Sequence, residues 1–249
     1  MMKTLTHEQM LRYNRHIVLP AIDMEGQERL LNSQVVVIGA GGLGCAVLPY
    51  LVSAGVGSVT IIDADTIERS NLQRQPLYRE QDVGGSKAET AQQQLQQLNS
   101  ETQLRAIHGW ADADTLASLE QPIDLIIDCC DNLTTRNLVN EFCVKHSIPL
   151  VSGSAIRFEG QLAAFSMQPG EPCYQCFSRL FGEQSLSCTE SGVASPLVGV
   201  VGSMQALEAL KILTGAGKPL FGQLLMFDGL NAEWQRFKLS PFPNCPACG

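Results

Sequence analysis

The glycine-rich stretch GAGGLG, residues 39–44, constrains the fold more than any other feature of this sequence. It follows the apolar run VVVI and precedes CAVLPYLVSAG, which has the character of a buried helix. A glycine turn between a strand and a helix is typical of phosphate-binding sites, because backbone amides and the helix N-terminus provide positive potential while glycine leaves no side chain in the way. The alternative interpretation is a turn that binds no ligand and only allows helix and strand to pack closely. The sequence therefore predicts a nucleotide-binding α/β unit.

The rest of the chain alternates between strand-like and helix-like segments. Strands are predicted at SVTIID, QLRAIH, IDLIID and PLVSGS, with helices at GSKAETAQQQLQQLN and RNLVNEFCVKH. This alternation predicts an α/β fold with a Rossmann-like, mostly parallel sheet and helices on both faces. Further along, GQLAAFSM, GQLLMFD and AEWQRFKL predict antiparallel C-terminal strands. PLVGVVGSMQALEALKILTG predicts a long helix in which Gly199 and Gly202 permit close packing.

The N-terminal residues 6–19, THEQMLRYNRHIVL, have the spacing of one amphipathic helix. EGQERLLNS predicts a second, shorter helix. The apolar side of the first helix is expected to contain Met10, Leu11, Tyr13, Ile17 and Val18.

Charge and hydropathy exclude two classes of partner. The 249 residues include 17 basic and 25 acidic ones, a formal charge of −8, which opposes binding to a nucleic-acid backbone. No apolar run approaches the roughly 20 residues of a membrane span, and the N-terminus lacks the apolar core of a signal peptide. We therefore expect a cytoplasmic protein with no nucleic-acid or membrane partner.

Four of the nine cysteines form two CxxC pairs and predict a metal site. Four thiolates at this spacing complete the tetrahedral shell of Zn²⁺, so the site is structural rather than catalytic. The ion would close a long loop and order the C-terminal third. The alternative, a redox dithiol, needs only one pair. The predicted zinc ligands are Cys173, Cys176, Cys245 and Cys248.

Asp63 ends the second strand, nineteen residues after Gly44, where dinucleotide-binding units place a carboxylate for the ribose. Alone, this spacing favours an NAD enzyme. The following cluster, DADTIERSNLQRQ, changes the interpretation, because Arg74 offers a guanidinium fork to phosphate oxygens and Lys87 adds a point charge. Together these two cations suit a triphosphate, whereas a single one would be an ordinary surface charge.

DCCDN, residues 128–132, follows another apolar strand at its carboxyl end, where open α/β sheets bind ligands. A carboxylate there can bind Mg²⁺ together with substrate phosphates, and we assign this role to Asp131. Asp128 still belongs to the strand and is expected to cap a helix or to form hydrogen bonds in the core. Asp131 has a competing role as N-cap of the helix that begins near Leu133.

Seven motifs occur in order over essentially the whole chain: RYNRHIVLP, GAGGLG, SNLQRQ, DCCDN, EPCYQC, LSCTESGV and CPACG. As a set they resemble the MoeB/ThiF family, bacterial relatives of the ubiquitin-activating enzymes. The stretch SRLFGE and the ending directly after the second CxxC are more similar to the MoeB branch than to the ThiF branch.

The resemblance implies an adenylyltransferase. In this family the C-terminal glycine carboxylate of a small ubiquitin-like sulfur carrier attacks the α-phosphorus of ATP, giving an acyl-adenylate and pyrophosphate. In the MoeB branch the carrier is MoaD-like and serves molybdenum cofactor biosynthesis. The resemblance further implies Mg²⁺ and a structural Zn²⁺, a carrier that ends in Gly-Gly, a homodimer, and a heterotetramer with the carrier.

The resemblance also implies roles for single residues. Gly42 approaches the phosphates or the sugar, Asp63 the ribose and Asp131 the Mg²⁺, while Lys87 acts on the phosphates in the transition state. Arg15 reaches the triphosphate of the neighbouring protomer, although the sequence alone describes it as an ordinary exposed arginine. Cys188 corresponds to a thiol that captures the activated carrier in some relatives. The whole nucleotide-binding set is Gly39, Gly41, Gly42, Gly44, Asp63, Ser70, Asn71, Leu72, Gln73, Arg74, Lys87, Asp131 and Asn132.

We expect a single ATP-binding domain, residues 1–249, because the chain can bury one substantial core and no linker-like stretch divides it. Residues 1–33 would form an N-terminal helical segment and 34–154 the nucleotide-binding half. Residues 155–249 would form the half that binds the carrier and zinc.

Three other functions stay open at this point. A ThiF-like enzyme would adenylate the carrier of the thiamine pathway and use Cys188 in sulfur transfer. An NAD-dependent oxidoreductase with a structural zinc would need a catalytic His or a Tyr/Lys pair, and none of the four histidines lies beside the glycine turn in sequence. A non-catalytic adaptor would be expected to lose Arg74, Lys87 or Asp131, and all three are present.

Overall fold

One eight-stranded sheet organises the part of the chain that this computed structural model describes, residues 3–179 and 191–249. Strands β1 to β5 are parallel and β6 to β8 are antiparallel, as predicted, in the order β3-β2-β1-β4-β5-β6-β7-β8. The strands are β1 (Gln34–Ile38), β2 (Ser58–Asp63), β3 (Gln103–His108), β4 (Leu125–Asp128), β5 (Leu150–Ile156), β6 (Glu159–Phe165), β7 (Gln223–Asp228) and β8 (Glu233–Lys238).

Helices cover both faces of the sheet, because successive strand residues point to opposite sides and both sets are apolar. In β1, Val35 and Val37 face one core, whereas Val36 and Ile38 face the other. The first core lies under α4, α5 and α9, and the second under α6, α7 and α8. The helices are α1 (His7–Arg12), α2 (Asn14–Ile17), α3 (Asp23–Asn32), α4 (Gly42–Ser53), α5 (Lys87–Leu98), α6 (Ala113–Ala117), α7 (Leu133–His146), α8 (Tyr174–Ser178) and α9 (Ser195–Thr214).

Helix α9 packs against α4 through a glycine. A Cβ at Gly202 would lie 2.6 Å from the carbonyl oxygen of Leu43, so only glycine allows this approach. The expectation for Gly199 was wrong, because no described atom beyond its chain neighbours and the backbone of its own helix lies within 4 Å of the corresponding point there. By length and composition alone α9 can cross a membrane, but 56% of the tested window is buried inside the fold, as in a core helix.

The N-terminal segment differs from the single predicted helix, because it breaks at Tyr13 into α1 and α2. The hydroxyl of Tyr13 accepts a hydrogen bond from Asn99 at 2.9 Å, and its ring lies against Gly55. These contacts tie the segment to the amino ends of β2 and β3. Leu11 and Val18, expected on the apolar side, are exposed instead.

Candidate active site

The glycine turn follows β1, and each of its glycines has a different structural role. Gly39 has φ of +97°, and a Cβ there would lie 2.7 Å from the carbonyl oxygen of Cys129. A Cβ at Gly44 would lie 2.1 Å from the carbonyl oxygen of Gly39, so glycine is needed for the helix to approach the strand. Gly41 precedes the first residue of α4, and the point that its Cβ would occupy has one neighbour, Nε2 of Gln75 at 3.6 Å, an ordinary van der Waals distance. The turn therefore exposes the N-terminus of a twelve-residue helix at one point, beside Gly41.

Gly42 faces the protein rather than this exposed point. A Cβ there would lie 3.2 Å from the side chain of Val198 on α9. The approach of Gly42 to a nucleotide stays a prediction, and the contact would have to be made by the backbone of Gly42.

We expect Gly44→Ala to lower the free energy of unfolding by about 3 kcal/mol, because its Cβ meets backbone that cannot move aside cheaply. Gly199→Ala is the matched control, since it has room for a methyl group in a helix and should stabilise by about 0.5–1 kcal/mol. Chemical denaturation of both variants measures the difference. Equal stabilities would contradict the close helix–strand contact.

Asp63 connects the end of β2 to the turn. Its carboxylate accepts hydrogen bonds from the backbone N–H of Ala40 at 2.7 Å and of Asp65 at 2.8 Å. Burial raises the pKa of Asp63 above its usual range, and the two amide donors oppose that shift. Each carboxylate oxygen keeps a second lone pair, so the carboxylate can still accept from a ribose hydroxyl, a role that stays a prediction.

Lys87 lies on the same edge as the first residue of α5. Its Nζ donates to Asp65 at 2.8 Å, and only 7% of the Lys87 side chain is exposed, against 58% for Asp65. The hydroxyl of Tyr78 bonds the carbonyl oxygens of Ala40 at 2.7 Å and Lys87 at 3.1 Å, which ties the glycine turn to α5. The ammonium group is thus fixed near the turn by a partner that itself faces solvent.

The loop after β2 is braced by its own side chains. Asn71 is buried, and its Oδ1 accepts from the backbone N–H of Glu68 at 3.1 Å. Arg74 donates from Nη1 to the carbonyl oxygen of Ser70 at 3.2 Å, and the Ser70 hydroxyl donates to Glu68 at 3.0 Å. Arg74 is half-buried, so its guanidinium is oriented before any phosphate binds.

The segment after β4 is fixed by a buried ion pair. Asp128, 1% exposed, lies 3.4 Å from Arg136 and accepts from the Ser152 hydroxyl at 2.7 Å and from the backbone N–H of Cys130 at 2.9 Å. Arg136 donates to the carbonyl oxygens of Cys130 at 2.5 Å and Gly153 at 2.7 Å. Asp128 is therefore the predicted core hydrogen-bonding residue and not a helix cap.

Asn132, rather than Asp131, caps α7, because its side chain accepts from the backbone N–H of Thr135 at 2.9 Å. The competing role of Asp131 is thereby removed. The Asp131 carboxylate is exposed at the carboxyl end of β4, next to the strand that carries the glycine turn. Whether Asp131 and Asn132 bind the nucleotide or its ion stays a prediction.

Two predicted residues lie elsewhere. Arg15 is exposed on α2, in the segment that Tyr13 ties to the amino ends of β2 and β3, opposite the glycine turn. Strands of six residues span about 20 Å, so Arg15 does not reach the turn of its own chain. Cys188 lies outside the described residues.

Four thiols converge at the second predicted site. The Sγ atoms of Cys173, Cys176, Cys245 and Cys248 all lie within 4.8 Å of one another, at 3.7 Å for Cys173 and Cys245 and 3.5 Å for Cys176 and Cys248. Asn140 on α7 donates to the Cys173 sulfur at 3.4 Å and accepts from the backbone N–H of Tyr174 at 2.8 Å. This N–H···S contact fixes the orientation of the Cys173 side chain, as outer-shell donors do for the ligands of metal sites.

Sequence reasoning missed three polar residues at this edge of the sheet. Asp65 had a signal, since it is the second acid after β2 and Lys87 follows downstream. Arg136 also had a weak one, as the only cation in the first turns of a helix that follows a strand-end aspartate. Gln75 is the last residue of the motif SNLQRQ, but its burial, which singles it out within the motif, does not show in the sequence.

Comparisons with known proteins find relatives over nearly the whole chain. A family model described as the ThiF family matches residues 13–247. The molybdopterin-synthase adenylyltransferase of Escherichia coli K12 is 48% identical over 248 residues, covering 100% of both chains. The sulfur carrier protein ThiS adenylyltransferase of the same organism is 40% identical over 239 residues, covering 96% of this chain and 95% of the relative.

A solved structure shares the fold. The crystal structure titled E. coli MccB + ATP superposes with a TM-score of 0.78 at 25% identity, covering 90% of this chain and 68% of that one. The predicted Rossmann-like sheet with antiparallel C-terminal strands is therefore confirmed. Because the family model spans nearly all of the sequence and full-length relatives approach half identity, this chain belongs to the ThiF family.

Proposed function

We propose that this protein is an adenylyltransferase that activates the C-terminal glycine carboxylate of a small ubiquitin-like sulfur carrier with ATP, in molybdenum cofactor biosynthesis. One observation carries the proposal. Three features lie at one edge of the sheet: the glycine turn, the Lys87–Asp65 pair, and the segment after β4 that Arg136 fixes and that presents Asp131. The full-length relatives are also named as adenylyltransferases, and the molybdopterin-synthase enzyme, at 48% identity, is more similar than the ThiS enzyme, at 40%.

The reaction requires positioning and charge neutralisation rather than an enzyme nucleophile. The carboxylate oxygen of the carrier attacks the α-phosphorus of ATP, the bond to the β-phosphate oxygen breaks, and pyrophosphate leaves. Holding the attacking oxygen and the phosphorus in line supplies much of the rate, and fixed cations stabilise the charge that develops on the phosphate oxygens.

This chain supplies those cations from oriented side chains. Lys87, held at 2.8 Å by Asp65, would turn to the phosphates of a bound nucleotide while its backbone stays fixed at the start of α5. Arg74, oriented by the Ser70 carbonyl group, would bind the same phosphates through its remaining N–H groups. Asp63, Ser70, Asn71, Leu72 and Gln73 would line the ribose and phosphate positions.

Asp131 fits a Mg²⁺ ion. It is an exposed oxygen ligand at the carboxyl end of β4, next to the phosphate turn, which is the donor type and setting that Mg²⁺ shares with substrate phosphates. The ion would neutralise charge on the triphosphate, while the task of Asp131 is to present its carboxylate from a segment fixed by Arg136.

The four-cysteine cluster fits a structural Zn²⁺. For Zn–S bonds of about 2.3 Å, the sulfurs of a tetrahedron lie about 3.8 Å apart, and three of the Sγ pairs lie 3.5, 3.7 and 4.0 Å apart. All four positions are filled by sulfur, so the ion would attach the C-terminal tail to α8 and leave catalysis to the sheet edge.

The assembly that we propose is a cytoplasmic homodimer that binds two carriers as a heterotetramer. Arg15 is exposed on α2, so its guanidinium is free to contact a second protomer, and we assign it to that protomer's triphosphate. Residues 155–249 would bind a carrier tail ending in Gly-Gly. The thiamine-pathway alternative would add sulfur transfer by Cys188.

Pyrophosphate exchange tests the function. The protein is incubated with ATP, Mg²⁺ and labelled pyrophosphate, together with either the molybdopterin-pathway or the thiamine-pathway carrier. We expect label to enter ATP only with the molybdopterin-pathway carrier. Exchange only with the thiamine-pathway carrier would reassign the pathway. Exchange with neither carrier, together with tight binding of NAD, would overturn adenylation in favour of the oxidoreductase.

A further inference from the structure

Gln75 is a buried polar residue that the roles described above do not use. It follows the loop that carries Asn71 and Arg74, and 3% of the residue is exposed. Its Oε1 atom has no hydrogen-bond partner among residues 3–179 and 191–249. An unpaired buried amide costs about 1–3 kcal/mol of folding free energy, and native proteins keep few such groups without a functional reason.

The position of Gln75 indicates what its amide meets. Its Nε2 lies 3.6 Å from the point that a Cβ on Gly41 would occupy, and no other atom is recorded within 4 Å of that point in the described chain. The amide therefore borders the open space above the N-terminus of α4, which is the anion-binding position of the glycine turn.

The backbone fixes this arrangement. The N–H of Gln75 donates to the carbonyl oxygen of Asn71 at 3.1 Å, and its own carbonyl accepts from Tyr78 at 3.2 Å. The Tyr78 hydroxyl in turn donates to the carbonyl oxygen of Ala40 inside the turn at 2.7 Å. Gln75 is thus held against the turn by contacts that do not involve its side chain.

We propose that the side-chain amide of Gln75 is a nucleotide-binding group that donates from Nε2 to a phosphate oxygen of the ATP at the glycine turn. This inference rests on the proposed function. The donor end of the amide, Nε2, borders the phosphate position at Gly41 and can donate two hydrogen bonds. As a neutral group, Gln75 fixes the direction of a phosphate whose charge Arg74 and Lys87 neutralise.

Two substitutions separate this role from a structural one. Gln75→Met keeps the length of the side chain and removes the unpaired amide, so the melting temperature should stay unchanged or rise while ATP binds about tenfold more weakly. Gln75→Glu keeps the shape but replaces the donor with a carboxylate that repels phosphate, so it should weaken binding further. A purely structural glutamine would lose stability in both variants and keep its affinity.

The experiment is calorimetric titration of the full-length protein with a non-hydrolysable ATP analogue and Mg²⁺, with the melting temperature of each variant measured in parallel. Gln97→Met, at an exposed glutamine on α5, is the control. Weaker binding in both Gln75 variants, with Gln75→Met as stable as the wild type, supports the proposal. Wild-type affinity in Gln75→Met, or an affinity loss in Gln75→Met that accompanies a melting temperature several degrees lower, overturns it. A wild-type protein that binds no nucleotide would overturn the proposed function as well, so the two failures are distinguishable.

Discussion

Arg136→Met is expected to lower the free energy of unfolding by about 3–5 kcal/mol, because it leaves the carboxylate of Asp128 buried without its cation. The two carbonyl groups that Arg136 binds, those of Cys130 and Gly153, also lose their donor. Denaturant unfolding of the variant against the wild type measures this change.

The same substitution should reduce pyrophosphate exchange by more than its effect on folding. Arg136 holds the segment that presents Asp131, and a displacement of about 1 Å in a positioning element can cost about 100-fold in rate. Under conditions where the variant is fully folded, we therefore expect exchange to fall by about that factor.

Arg105→Met is the matched control for Arg136. Arg105 also pairs with a carboxylate, Glu120 at 3.7 Å, but both side chains are largely exposed, so its loss should change stability by less than about 0.5 kcal/mol. Asp128→Asn combined with Arg136→Met should recover part of the loss, because the uncompensated charge is gone. If Arg136→Met behaved like Arg105→Met, the clamp on the Asp131 segment would be refuted.

The main features of the fold followed from local patterns. The strand–turn–helix around residues 39–44 depends on apolar runs and glycines that are neighbours in sequence, and the parallel sheet follows from repeating such units. Lys87 was identifiable because it begins a polar helix. The cysteines were identifiable because a CxxC motif places two metal-binding thiols within four residues. These signals are local, so one sequence contains them.

The contacts that orient the site depend on packing between distant segments. The pairing of Arg136 with Asp128 requires that one particular face of α7 lie on β4 and β5, and the hydrophobic spacing of α7 does not select that face. Gln75 becomes notable only when the fold buries it. The break at Tyr13 arises because Asn99 and Gly55 fix the ring, and helical spacing cannot register a contact more than 80 residues away.

Loss of one cysteine ligand should release the C-terminal tail. Cys245→Ser removes a sulfur that lies 3.7 Å from Cys173, so we expect bound zinc, measured by atomic spectroscopy, to fall from about one per chain to a small fraction. Stability should fall by at least about 3 kcal/mol, because metal binding and folding are coupled. Hydrogen exchange should accelerate in residues 239–249 and in α8, and stay slow in β1 and β4.

Cys143→Ala provides the comparison, because Cys143 is a fully buried thiol on α7 outside the cluster. It should lose only about 1–2 kcal/mol of packing and keep its zinc. Asn140, on the same helix, contacts the Cys173 sulfur, so α7 joins the four-cysteine cluster to the segment that Arg136 fixes. Pyrophosphate exchange by Cys245→Ser therefore distinguishes two arrangements. If pyrophosphate exchange persists while hydrogen exchange in the tail is fast, the metal only attaches the tail. If pyrophosphate exchange is lost while β4 stays protected from hydrogen exchange, α7 needs the metal to hold Asp131.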